Sequence, residues 1–235
     1  MYGYWGKILK VDLTSGKVTT QEFDEKFARK WLGGVGFGVK LCYDEIPAGA
    51  DPLGPDNVFV LAVGPIQGYT GVLGSGRYTI GFKSPLTGIW GQATGGGYVA
   101  EELKRTGYDA IVVKGAAKKP VYLTVMNGKV EIKDASKLWG KDVHETQEAL
   151  WKEVGDKTAV VVPIGPAAEN LVRYAALVTN DGHGNAARMG GGAVLGSKKL
   201  KAIVLKGDKH VPIKDPEKLK ALKKEIAGLV KESGF

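Results

Sequence analysis

Glycine-rich loops carry the residues of this chain that are best suited to chemistry. Three segments combine clustered glycines with an arginine or a helix start: 74–77 (GSGR), 93–97 (ATGGG) and 184–192 (GNAARMGGG). Successive backbone N–H groups in such loops bind phosphate well, because no side chain blocks the approach. The residues therefore predict a phosphate-bearing ligand contacted by Arg77 and Arg188. Tight turns between strands are the alternative interpretation of the same glycines.

The common nucleotide fingerprints do not fit these loops. Residues 191–198 have the glycine spacing of a phosphate-binding P-loop, but Ser197 precedes Lys198, which is the reverse of the P-loop order. The alternating glycines at 34, 36 and 38 do not match the dinucleotide pattern. ATP and NAD are therefore not the predicted ligands.

Cysteine and histidine are too few to build a metal centre. The sequence has 1 cysteine, Cys42, and 3 widely separated histidines. This excludes a disulfide framework, a zinc ribbon and an iron–sulfur cubane held by this chain alone. No metal-ligating and no catalytic residue is predicted in the chain.

The net charge of +8 does not indicate a nucleic-acid-binding protein. Lysines are interspersed with acids, as in EELKR and KDPEKLKALKKE, which is typical of solvated helix faces. The positive bias still favours an anionic small ligand.

Abundant lysine and glutamate with little glutamine are typical of a hyperthermophile. No apolar run approaches a membrane span and no signal peptide is evident, so we expect a cytoplasmic protein without a membrane partner.

Alternating and continuous apolar runs predict more strands than helices. Several strands are joined as hairpins, most clearly at Asn127-Gly128, so we expect an α+β fold with mixed or antiparallel sheets and flanking helices, not a doubly wound one. A capping box is predicted at Asp142 and Glu145. The predicted strands are 7–13, 18–22, 58–63, 77–82, 110–114, 121–126, 129–133, 158–164, 173–178 and 202–205, and the predicted helices are 24–32, 98–105 and one from 142.

The chain divides near Pro212 into a domain, 1–213, and a C-terminal amphipathic helix, 214–235. Asp215-Pro216-Glu217 is a helix start with a cap, a first-turn proline and an acid in the favoured order. This helix either packs back on the domain or begins a further helical domain, and we expect the second. Its apolar side consists of Leu219, Leu222, Ile226, Leu229 and Val230.

Many co-linear motifs resemble the N-terminal domain of the aldehyde:ferredoxin oxidoreductases. They follow in that family's order and at nearly its spacing, from residue 1 to about residue 213. The motifs are MYGYWGKILKVDLTSG, WLGGVG, DPLGPDN, LAVGPIQG, SGRY, KSPLTG, GGGYVAEELKRTGYDAIVVKG, IGPAAENLVRYAAL and NDGHGNAARMGGGAVLGSKKLKAI.

The resemblance implies two β-sheets that form a base for a tungsten bis-pterin cofactor, with a magnesium ion bridging its phosphates. The pterins hold the metal, so no protein ligand is needed. By motif, Arg77 would meet a phosphate or a pterin edge. The residues that would line the cofactor on the phosphate and magnesium side are Thr94, Gly95, Gly96, Asn185, Ala187 and Arg188.

The chain also departs from the family pattern. The family usually has GGRG where Val35 stands between two glycines, asparagine at Thr94 and often arginine at Gly184. Two cations and one magnesium-side amide are therefore absent, and either tungsten or molybdenum would fit.

The resemblance places the rest of the enzyme outside this sequence. The 4Fe–4S cluster, the acid–base residues and the substrate channel belong to further domains or to a separate chain. The complete enzyme, which could be a homo-oligomer, would oxidise aldehydes to carboxylic acids with ferredoxin as acceptor. This chain alone is expected to be inactive. The alternative is a free-standing, non-catalytic binding or structural module with a degenerate pterin site.

Overall fold

The computed structural model describes residues 1–69, 72, 74–179 and 184–234. Its strands are β1 (Lys7–Asp12), β2 (Lys17–Glu22), β3 (Phe59–Ala62), β4 (Tyr78–Lys83), β5 (Trp90–Gly95), β6 (Ala110–Lys114), β7 (Val121–Met126), β8 (Lys129–Asp134), β9 (Val160–Pro163) and β10 (Leu200–Lys206). Its helices are α1 (Glu25–Trp31), α2 (Val35–Glu45), α3 (Val99–Arg105), α4 (Val143–Val154), α5 (Pro166–Glu169), α6 (Gly191–Ser197) and α7 (Pro216–Glu232).

The strands form two mixed sheets. The larger sheet has the order β2-β1-β6-β3-β4-β5, and the smaller has the order β8-β7-β10-β9. The β1–β6 and β7–β10 pairs are parallel, and the other pairs are antiparallel. Two mixed sheets with flanking helices confirm the predicted α+β fold.

One core joins the two sheets. Buried residues of the larger sheet, such as Leu61 and Ile80, belong to the same apolar cluster as Leu123 and Ile203 of the smaller sheet, and α3 and α6 contribute to it. Helix α2 packs on the opposite face of the larger sheet, and α4 packs on the opposite face of the smaller one. The strands that carry the candidate site are therefore held from both faces.

Several local signals gave the observed structure. Asn127 and Gly128 have φ values of 48° and 81°, as the predicted two-residue turn requires. The capping box of Asp142 and Glu145 is present with both of its hydrogen bonds. Helix α1 ends at Trp31 and is capped by Leu32, whose φ is 59°, close to the end of the predicted helix 24–32.

The predicted strand 173–178 is wrong. Only an isolated bridge joins Leu177 to Ala186, because the preceding backbone bonds elsewhere. The N–H of Ala175 donates to the carbonyl of Val172, and the Ala175 carbonyl accepts from Gly192 at 2.9 Å. The segment 173–178 therefore packs against the glycine-rich segment 190–192 and is not a sheet strand.

The termini of the domain meet on one side of the larger sheet. The N–H of Gly3 donates to the Pro212 carbonyl at 3.0 Å, and the Tyr69 hydroxyl donates to the same oxygen at 3.2 Å. Helix α7 follows this junction, and none of its residues is buried. No helix among the described residues is long and apolar enough to cross a membrane.

A buried lysine joins three loops of the fold. The Lys198 side chain is fully buried, and its amine donates to the backbone carbonyls of Pro55, Asn57 and Gly115. Burial lowers the pKa of Lys198 from 10.5 to about 8, and the attraction of Asp56 and Asp12 offsets this only in part. The charged form is thus less stable in the folded protein than in the unfolded chain.

We expect the free energy of unfolding to rise with pH because of Lys198. Between pH 8 and pH 10 the unfolded chain binds more protons at this group, so the native state gains about 2 kcal/mol over that interval. Urea unfolding at a series of pH values measures the effect. Lys198→Met is the reference, because it lacks this titration but keeps the other lysines and tyrosines. Equal pH slopes for the two proteins would contradict the prediction.

Candidate functional site

Two segments that are far apart in the sequence line one surface cavity of about 620 Å³. Strand β5 forms one wall and the segment 185–188 forms the other. Four of the predicted site residues meet here: Thr94, Asn185, Ala187 and Arg188. Gln92 and Ala93, which the sequence did not single out, line the cavity as well.

Two hydroxyl groups hold the ends of the second wall. The Tyr78 hydroxyl donates to the Gly184 carbonyl at 2.8 Å, and the Ser84 hydroxyl donates to the Met189 carbonyl at 2.8 Å. Burial raises the pKa of Tyr78 to about 12, so this phenol remains a donor at neutral pH. The segment between these anchors is therefore fixed against the β4–β5 edge of the larger sheet.

Arg77 lies beside the end of β5. It precedes β4, where Tyr78 pairs with Gly95 and Thr79 pairs with Thr94. A guanidinium nitrogen of Arg77 lies 4.0 Å from the position that a Cβ on Gly96 would occupy. Arg77 thus neighbours the β5 wall, but it is not among the described residues that line the cavity.

Both arginines are available to a ligand. The side chains of Arg77 and Arg188 are exposed, and neither takes part in an ion pair with another described residue. Their convergence on the concave surface at the start of α3 remains a prediction. Two guanidiniums near one cavity would attract a phosphate or a carboxylate.

Packing requires glycine at several positions in these loops. A Cβ on Gly190 would lie 2.0 Å from the Arg173 carbonyl oxygen, and one on Gly192 would lie 2.4 Å from the Ala176 carbonyl oxygen. Gly95 lies against the Tyr78 ring, where a Cβ would approach to 2.3 Å. Gly96 has open space instead, so a ligand can approach the backbone there.

The described residues offer no group of three or more His, Cys, Asp or Glu side chains that could hold a metal ion. The polar groups of the cavity are instead an arginine, two amides, a hydroxyl and backbone groups. This set suits a phosphorylated organic ligand better than a bare metal ion.

Comparison with known proteins agrees with the family resemblance of the sequence. The family model described as "Aldehyde ferredoxin oxidoreductase, N-terminal domain" matches residues 8–207. The tungsten-containing aldehyde ferredoxin oxidoreductase of Pyrococcus abyssi is 50% identical over 237 residues, which cover 97% of this chain and 39% of that protein. The protein with the same description from Thermococcus kodakarensis is 49% identical over 225 residues, which cover 96% of this chain and 37% of that protein.

Relatives with other descriptions share the same domain. The WOR-like subunit of an aliphatic sulfonate oxidoreductase from Pyrococcus furiosus is 40% identical over 244 residues, covering 96% of this chain and 38% of that subunit. Among solved structures, the active site complex of benzoyl coenzyme A reductase with 1,5-dienoyl-CoA matches with a TM-score of 0.94 and 38% identity, covering 98% of this chain and 35% of that chain.

The family model spans most of the chain, and the chain spans less than two fifths of the length of the curated relatives that it matches. The same two-sheet fold recurs in a solved structure. The protein therefore belongs to the aldehyde ferredoxin oxidoreductase family, and the matched region is the N-terminal domain of that family.

Proposed function

We propose that this chain seats a tungsten or molybdenum bis-pterin cofactor on the surface between β5 and the segment 185–188. The observation that supports this most directly is the cavity in which Thr94, Asn185, Ala187 and Arg188 meet. Its arginine suits the phosphates of such a cofactor, and relatives that are 50% and 49% identical to this chain are described as tungsten-containing.

The proposed roles follow from the side chains. Arg188 and Arg77 bind the phosphates, and Gly96 lets the backbone approach the cofactor closely. Thr94, Asn185 and Ala187 would line the phosphate and magnesium side of the cofactor, where hydroxyl, amide and backbone oxygens suit a hard cation. When bound, the cofactor supplies two-electron redox chemistry, and this chain orients it without ligating the metal.

We further propose that the complete protein acts in the cytoplasm and oxidises aldehydes to carboxylic acids. Electrons would pass through a 4Fe–4S cluster on the remaining domains or on a separate chain to ferredoxin. Relatives that share this domain are named for an aldehyde, an aliphatic sulfonate and a benzoyl-CoA reaction. Selection of the substrate therefore belongs to regions outside the matched domain.

The rival function is a non-catalytic module with a degenerate pterin site. The residues that favour it are Thr94, Val35 and Gly184, which stand where the family pattern has an amide or an arginine. Tungsten and pterin analysis of the protein isolated from its source, grown with tungstate, separates the two functions. Stoichiometric pterin and metal support cofactor seating. A complex that contains the remaining domains but no pterin would contradict it.

Thermal stability gives a separate prediction. The lysine- and glutamate-rich composition and relatives from hyperthermophiles lead us to propose a hyperthermophilic origin. We expect a melting temperature above the mesophile range of roughly 45–65 °C, measured by circular dichroism. A transition within that range, for the chain joined to its remaining domains, would contradict this origin.

A further inference from the structure

Gln92 places a buried, unpaired polar atom at the candidate cavity. On β5 the residues Gly91, Ala93 and Gly95 are buried, whereas Gln92 and Thr94 lie on the other face of the strand. Gln92 lines the same cavity as Arg188. Its Oε1 is shielded from solvent and has no hydrogen-bond partner among the residues that the structure describes.

The residue directly opposite Gln92 on the neighbouring strand cannot supply that partner. Gln92 pairs across the sheet with Gly81, which has no side chain to donate a hydrogen bond. Gly81 packs closely on α2, because a Cβ added to Gly81 would lie 3.1 Å from the Cα of Gly38. A buried acceptor without a donor lowers stability, and native proteins rarely keep one unless a ligand or water completes it.

We propose, on the basis of the proposed function, that Gln92 determines the specificity of this cavity for an N–H-bearing heterocycle. The Gln92 amide oxygen accepts a hydrogen bond from the N–H edge of the ligand, while Arg188 binds the phosphate of the same molecule. A cavity that offers an unpaired acceptor and a cation selects a ligand that carries both a donor and an anion. A phosphorylated pterin has both groups.

Two probes separate the contributions of the two side chains. Dihydroneopterin triphosphate carries the pterin N–H edge and the phosphates, whereas inorganic tripolyphosphate carries the phosphates alone. We expect Gln92→Met to weaken binding of the pterin probe about tenfold and to leave tripolyphosphate binding within about twofold, as measured by calorimetric titration of the full chain. Arg188→Met should weaken both. The matched control is Gln21→Met on β2, at the opposite edge of the sheet, which should change neither.

Stability of the ligand-free chain provides an independent measurement. Because the Gln92 oxygen has no partner in the described part of the chain, Gln92→Met should leave the melting temperature unchanged or raise it by about 2–4 °C. A fall of several degrees would show a structural role and overturn the proposal. Equal effects of Gln92→Met on both probes, or none on either, would also overturn it. If the wild-type chain binds neither probe, the proposed function itself fails. If Gln92→Met binds both probes as the wild type does while Arg188→Met weakens both, the proposed cofactor site stands and Gln92 has no part in its specificity.

Discussion

Replacing Arg77 and Arg188 together with methionine should lower the affinity of the chain for dihydroneopterin triphosphate at least 100-fold. Each arginine can contribute a charge-assisted hydrogen bond worth about 1.5–3 kcal/mol, and two such bonds correspond to at least a hundredfold change. Neither guanidinium takes part in an ion pair within the described part of the chain, so the substitutions remove no such internal contact. Calorimetric titration measures the affinity, and circular dichroism verifies the fold.

A control with the same change in charge is available on α1. Lys26 and Arg29 are exposed there, and their replacement with methionine removes two positive charges away from the cavity. This pair should weaken binding only slightly, through the general field. A double-mutant cycle at Arg77 and Arg188 then tests convergence, because side chains that bind one phosphate group couple. Wild-type affinity in the Arg77/Arg188 variant would mean that the site is wrongly placed.

The second large effect is expected at Gly190, where alanine should destabilise the chain by about 3 kcal/mol or more, because strain and overpacking act together. Gly190 has a φ of 86°, and a Cβ there would lie 2.0 Å from the Arg173 carbonyl oxygen. The backbone oxygen cannot rotate away as a flexible side chain would. Urea unfolding at neutral pH measures the loss.

Gly228 is the matched control for this substitution. It lies within α7, has no neighbour within 4 Å of an added Cβ and does not have a positive φ. Alanine at this position should stabilise the helix by about 0.5–1 kcal/mol, because glycine is a poor helix former. If Gly190→Ala lowers the free energy of unfolding no more than Gly228→Ala does, close packing does not require glycine at position 190.

Local signals were sufficient where short-range chemistry decides the structure. The Asn127-Gly128 turn and the capping box at Asp142 each depend on residues within four positions, so the sequence contains the whole interaction. The strand pattern likewise predicted mixed sheets. The order of strands in each sheet depends on contacts between distant segments, which no local pattern contains.

Helices α2 and α6 and strand β5 were missed because glycine was interpreted as turn chemistry. In α2, a Cβ on Gly36 would lie 1.9 Å from the Trp31 carbonyl oxygen, so glycine lets the helix begin against the end of α1. In β5, small residues alternate with Gln92 and Thr94, which hides the apolar alternation of a strand. The arginines of the site could be proposed from the sequence, but Gln92 could not. Its significance depends on a hydrogen bond that is absent, and only the folded structure reveals that.

The junction of Gly3 and Pro212 has a consequence for how this fold has been reused. The backbone therefore enters and leaves the domain at neighbouring points, and all the strand pairs described in the two sheets are formed by the segment between them. Different further segments can be attached after this junction without altering the order of the strands. A domain of this kind can be inherited as a unit, which agrees with its presence in relatives named for three different reactions.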